Sequence, residues 1–280
     1  MGTTQRISPG VTGEPNWREL NRSITQVAKT VEKEKNEDDF EIIGQEEESP
    51  TWEQIQQANE YKKFVAKRNH HLRKAFSKLI ETGGGAKTII SGKSKSIGRA
   101  GLRNSKKIVG FFLSVGEQGF QQALTDIGFN ITGKNVQDVI DYLLVYSSES
   151  SAGMDETAAN KASCEVLNDV AREANNDLEK FEEMAKKLAQ GPELSSLICK
   201  FWGYYIFEHL SQRFLEKIAQ QRGEDISVET FKIIKEDILG QVKRLNERRD
   251  ISQINWKSEQ GKAEIEKIFQ SIIIILCDEN

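Results

Sequence analysis

The chain has 280 residues, 37% hydrophobic and 29% charged, with a formal net charge of −4. That length allows one large domain or two small ones with a buried core. No stretch reaches the ~20 apolar residues that span a bilayer, and the polar N-terminus lacks the apolar region of a secretory signal, so a cytoplasmic protein without membrane contact is expected.

Cys164, Cys199 and Cys277 are odd in number and far apart, which fits reduced, mostly buried thiols rather than a disulfide framework. His70 and His71 diverge on a helix and His209 is remote, so no zinc site is expected. Charge is distributed in blocks. Glu32 to Glu60 holds eleven acids against Lys33 and Lys35, and Lys62 to Lys107 holds fourteen Lys and Arg against Glu81 alone. A block of −9 beside one of +13 calls for a partner, whether the neighbouring block, another protein or a polyanion.

Residues 1–48 have few apolar side chains, three glycines before Pro15 and the acidic run Glu37-Asp38-Asp39 with Glu46-Glu47-Glu48. They read as a disordered tail, acidic in its second half, with a short helix around Trp17 to Val31 as an alternative. Residues 49–280 read as a helical domain. Ser49-Pro50 and Thr51-x-x-Gln54 both offer a helix start. Ile55, Tyr61, Val65, Leu72, Phe76 and Leu79 then recur at spacings that predict a helix from Trp52 to about Glu81. A basic Gly/Ser-rich segment, 82–107, follows, and a second basic helix begins near Ala100 and runs towards Val115.

Further helices are predicted over Phe120 to Ile127, Lys134 to Tyr146, Glu156 to Ala174 and Leu178 to Leu188, with Ser147 to Asp155 as an exposed loop and Gly191-Pro192 as a stop followed by a start. Leu194 to Gln221 is the most apolar helix and is expected at the centre of the core. Ser227 is expected to cap the next helix, which turns Val228, Phe231, Ile234, Ile238, Val242 and Leu245 inward. The last helix runs from about Trp256 through Leu276. Long proline-free stretches rich in Lys, Glu, Gln and Ala favour helix throughout, so the fold class is all-α: a multi-helix domain with a disordered tail and a basic interhelical segment.

No catalytic constellation is evident. Gly92-Lys93-Ser94 looks like the end of a phosphate-binding loop, but that motif needs glycine where Lys87 stands. Lys87, Lys93, Lys95, Arg99, Arg103, Lys106 and Lys107 form a candidate contact surface for a polyanion or a protein partner. Thr82 to Arg103 contains no aromatic residue on which a single strand would stack. Gly2, exposed as an α-amine with a pKa near ~8 when Met1 is removed, is sterically suited to act as a nucleophile in another enzyme's site.

Three features carry a family resemblance: the opening Met1-Gly2-Thr3-Thr4, the Pro15-Asn16-Trp17 motif, and the block from Gly83-Gly84-Gly85 through Ser96-Ile97-Gly98-Arg99-Ala100 into Val109-Gly110-Phe111 and Gly119-Phe120. In these the chain resembles the QatB family of the bacterial Qat anti-phage defence system. It departs in Thr4, where serine is usual, and in using Lys and Ile in the glycine-rich block. The resemblance implies a non-enzymatic component that binds no cofactor, is joined at Gly2 to a deazaguanine by a QueC-like enzyme, and assembles with an ATPase and a TatD-like nuclease. The alternative is a cytosolic nucleic-acid-binding accessory protein that uses residues 87–107.

Overall fold

The computed structural model describes residues 17–36, 52–94, 96–149, 153–189, 192–248, 256 and 258–277. Among these residues there are eleven helices and no strand, so the fold is all-α. The helices are α1 (Trp17–Asn36), α2 (Trp52–Thr82), α3 (Ala86–Ile90), α4 (Arg99–Gln118), α5 (Phe120–Asp126), α6 (Val136–Ser147), α7 (Met154–Glu173), α8 (Leu178–Leu188), α9 (Pro192–Arg222), α10 (Glu224–Glu247) and α11 (Glu259–Cys277).

α9 is the axis of the molecule. It packs against α10 and α7 most extensively, and also meets α1, α4, α8 and α11. Phe201 to Ile206 are six consecutive buried residues, more than a full turn, so this part of α9 is enclosed on every side. Trp202 and Tyr205 lie here, with Trp202 stacked on Phe269 of α11 at 4.0 Å between ring centroids. Burying several such rings in one cluster gives each roughly 2–3 kcal/mol of apolar transfer and adds the preference of aromatic pairs for defined geometry.

Side-chain caps mark the starts of α6 and α8. Asn135 caps α6 by accepting from the Asp138 backbone N–H at 3.1 Å, and Asp138 accepts in return from the Asn135 N–H at 2.9 Å. Asp177 caps α8 through the Lys180 N–H at 2.9 Å. The basic Gly/Ser-rich segment is more ordered than its composition suggests, because it contains α3, whose Ile89 is buried against the core.

Three sequence expectations need correction. The unfolded tail does not extend over residues 17–36: Leu20, Ile24, Val27, Ala28 and Val31 of α1 are buried, and α1 packs along α2. Ser227 is not a cap. α10 starts three residues earlier, after Gly223, and Ser227 lies buried inside it, donating its hydroxyl to the Leu215 carbonyl at 2.7 Å. Val228 points outward and is 56% exposed. Residues 1–16 and 37–51, including Gly2, the acidic run and the Ser49-Pro50 start, lie outside the described residues.

Candidate functional site: a buried carboxylate under the glycine-rich turn

The turn that leads into α4 carries Ser94, Ile97 and Gly98. Ser94 is buried, and its hydroxyl oxygen accepts from the Ser96 and Ile97 backbone N–H groups at 3.3 and 3.2 Å. A serine folded back on its own turn in this way is a local backbone device, and it accounts for Ser94 without a phosphate. Gly98 has φ 105°, where side chains are strained, and a Cβ there would also meet the Phe269 ring at 3.2 Å.

Asp155, at the second position of α7, reaches across to this turn. One carboxylate oxygen accepts from the Gly98 N–H at 3.2 Å and the other from the Ala100 N–H at 2.8 Å. The first oxygen also accepts from the Tyr205 hydroxyl, which itself accepts from the Gly98 N–H, and it lies 3.4 Å from Nε2 of His209. Tyr205 and His209 are four residues apart on α9 and present adjacent rings at 4.7 Å in a T-shaped arrangement.

The N-termini of α4 and α7 thus converge on one negative charge, and both helix dipoles favour it there. Burial works to raise the Asp155 pKa, but the nearby His209 ring and hydrogen bonds from the Ala100 N–H and Tyr205 outweigh it and hold the carboxyl below its ordinary value. Burial, followed by the Asp155 charge, pushes the Tyr205 phenol well above its ordinary value, so it stays a neutral donor. The position an anion would take at the start of α4 is therefore filled by the protein's own carboxylate. This arrangement clamps the glycine turn. Replacing Tyr205 with Phe should destabilise the fold by about 1.5–3 kcal/mol, the range for a hydrogen bond to a charged acceptor, as read by thermal unfolding.

The basic residues singled out from the sequence fall into two groups, paired and exposed. Arg103 pairs with Glu156, donating to it at 3.1 Å through one of two bonds, and with Glu149 at 2.9 Å. Lys106 pairs with Glu266 of α11 at 2.6 Å. Lys107 donates to the Tyr146 carbonyl at 2.9 Å and sits over that ring. Lys87, Lys93 and Arg99 are exposed and have no ion pair among the described residues, whereas Lys95 lies outside them. Half of the described set is thus engaged in fastening α4 to α6, α7 and α11.

Sequence reasoning missed Asp155, which it placed in a loop, and assigned Tyr205 no role beyond its place in the most apolar helix. The legible signal was Gly153-Met154-Asp155 ahead of a helical pattern, a helix start with an acid in its first turn. Its cross-chain partners were not legible. Trp17, from the Pro15-Asn16-Trp17 motif, lies under the guanidinium of Arg213 at 3.4 Å from its ring centroid, and Arg213 also donates to the sulfur of Met154, the residue before Asp155. The start of α1 is therefore anchored beside the same end of α7.

Among the described residues no group of three or more His, Cys, Asp and Glu is placed to hold a metal ion, and no helix is long and apolar enough to cross a membrane. No curated protein and no solved structure matches the chain. A family model described as Qat anti-phage system associated protein QatB matches residues 84–276, from the glycine-rich block to the end of α11. The match takes in the clamped turn, Asp155, Tyr205 and His209, and covers well over half of the sequence: the chain belongs to the QatB family of proteins associated with the Qat anti-phage system.

Proposed function

We propose that this chain is a non-enzymatic, cytoplasmic component of an anti-phage defence system, modified at Gly2 by a QueC-like partner and assembled with an ATPase and a TatD-like nuclease of the same system. The observation that carries the reading is membership of the QatB family. The partner activates a carboxylated deazaguanine with ATP as an acyl-adenylate, releasing pyrophosphate, and the neutral Gly2 α-amine attacks the activated carboxyl carbon, forming an amide, releasing AMP and losing a proton. An unblocked amine without a side chain beside it suits that attack.

The fold gives this reading a geometric frame. Trp17 is held on Arg213, and the fifteen residues from Gly2 to Asn16 span at most ~50 Å when fully extended. The modifying site of the partner must therefore come within that radius of Trp17. Asp155 and Tyr205 are engaged in holding the glycine turn, which supports a binding and assembly role for the body.

The test is intact-mass and N-terminal peptide analysis of the chain after co-expression with the QueC-like partner, with a host lacking the deazaguanine precursor as control. An added mass confined to the peptide that starts at Gly2 is expected. Gly2→Phe should lose it entirely while leaving thermal unfolding of the helical body unchanged. An unmodified Gly2 in the complete, active system, or full defence when Gly2 is blocked, would overturn the proposal.

A further inference from the structure

Arg103, Lys106 and Lys107 are paired internally, and the basic block also runs back along α2 (Trp52–Thr82). The buried face of α2 carries Leu72, Ala75, Phe76 and Leu79. On the opposite face, at steps of four, three and four residues, stand Lys63, Lys67, His70 and Lys74, all exposed. Three turns before Lys63 on that same face is Trp52, 71% exposed.

We propose that this face of α2 binds the phosphodiester backbone of a nucleic acid, with Lys63, Lys67 and Lys74 on successive phosphates and Trp52 available to stack on a base. None of the three lysines has an ion pair among the described residues, although Arg68, on the inner side of the same helix, is held by Glu34 at 2.6 Å. α2 carries three acids, Glu53, Glu60 and Glu81, against a larger number of Lys and Arg. Glu81 is held by Lys78 at 2.7 Å, and Glu60 sits at the edge of the stripe.

The rise between neighbouring basic positions is ~4.5–6 Å and the face from Trp52 to Lys74 is ~33 Å long, a straight row suited to the regular charge of a strand. A protein partner would look for an apolar centre in its contact patch. Here the intervening positions are Gln56, Asn59 and Ala66, which offer none. His71, beside the stripe, has its pKa lowered by burial and then by His70, Lys67 and Lys74, which reports the same positive field. The surface lies outside the stretch matched by the family model.

The experiment is fluorescence anisotropy of the full chain with labelled DNA of about 20 nucleotides, single-stranded and duplex. Binding to at least one form at ~50 mM salt is expected. K63A/K67A/K74A should bind about tenfold or more weakly, with the slope of log K against log salt reduced by roughly 2–3. Trp52→Ala should weaken the single strand alone if bases stack, and neither form if the duplex is the ligand. Alanine on an exposed helix face preserves folding, which circular dichroism checks. No binding by the unmutated chain at low salt, an unchanged affinity and slope in the triple variant, or loss of a protein partner in place of DNA would overturn the proposal.

Discussion

Replacing Asp155 with Ala should lower the unfolding free energy by about 3–5 kcal/mol, the range for removing one member of a buried charged network. The carboxylate accepts from the Gly98 and Ala100 N–H groups and from Tyr205, with His209 at 3.4 Å. Its loss strands several donors together, and buried donors without acceptors are costly. Thermal unfolding should show a midpoint lower by roughly 5–15 °C. Amide exchange at Gly98 and Ala100 should accelerate beyond the global change, because the turn is released first. A loss below about 1 kcal/mol, with unchanged exchange at these two amides, would show that the turn is held by something else.

The same residue predicts the sign of the acid response. The Asp155 carboxyl is held below its ordinary value in the fold, so at pH values between the folded and unfolded pKa the unfolded chain binds more protons. Stability from this group is complete above its ordinary value of 3.8 and is lost as pH falls through the depressed folded value. Asp155→Ala should therefore be less sensitive to acidification in that window than the unmutated chain.

How much of this could be read from the sequence depends on the distance over which the cause acts. α9 was legible as the central helix because its apolar residues form a broad stripe, and α6 and α8 because their apolar residues recur at helical spacing. α1 was legible only as the alternative short helix around Trp17 to Val31, because averaging over the polar tail obscured it. Residues 1–48 are polar as a whole, yet Leu20, Ile24, Val27, Ala28 and Val31 alone make a helical stripe that finds a surface on α2 and α10. At Ser227 a local signal lost to a tertiary one: the chain turns at Gly223, with φ 92°, directly after α9, and the serine is needed for the Leu215 carbonyl. The Asp155 clamp joins residues 50 and more positions apart, which no local pattern encodes. For the basic block, composition gave the charge but not its pairing. The partners of Arg103 and Lys106 come from α7, α11 and the loop after α6.

Two glycines in α4 should respond to the same substitution with opposite sign. Gly101 is buried where α4 crosses α9, and a Cβ there would come within 2.6 Å of the Trp202 ring and 3.0 Å of the Tyr205 ring. Neither ring is free to retreat. Trp202 is fully buried and stacked on Phe269, and Tyr205 is fixed through its hydroxyl to Asp155 and Gly98. Gly101→Ala should cost about 1–3 kcal/mol of overpacking, net of the helix propensity it gains. Gly101→Val should exceed about 4 kcal/mol, in the range reserved for severe core disruption, and leave little folded protein. Gly110, further along α4, is exposed, and a methyl group added there would meet nothing within 4 Å. Gly110→Ala should stabilise by about 1 kcal/mol from propensity alone. Denaturant unfolding of both alanine variants checks the pair, and equal signs would refute the close approach of α4 to α9 that places the glycine turn over Asp155.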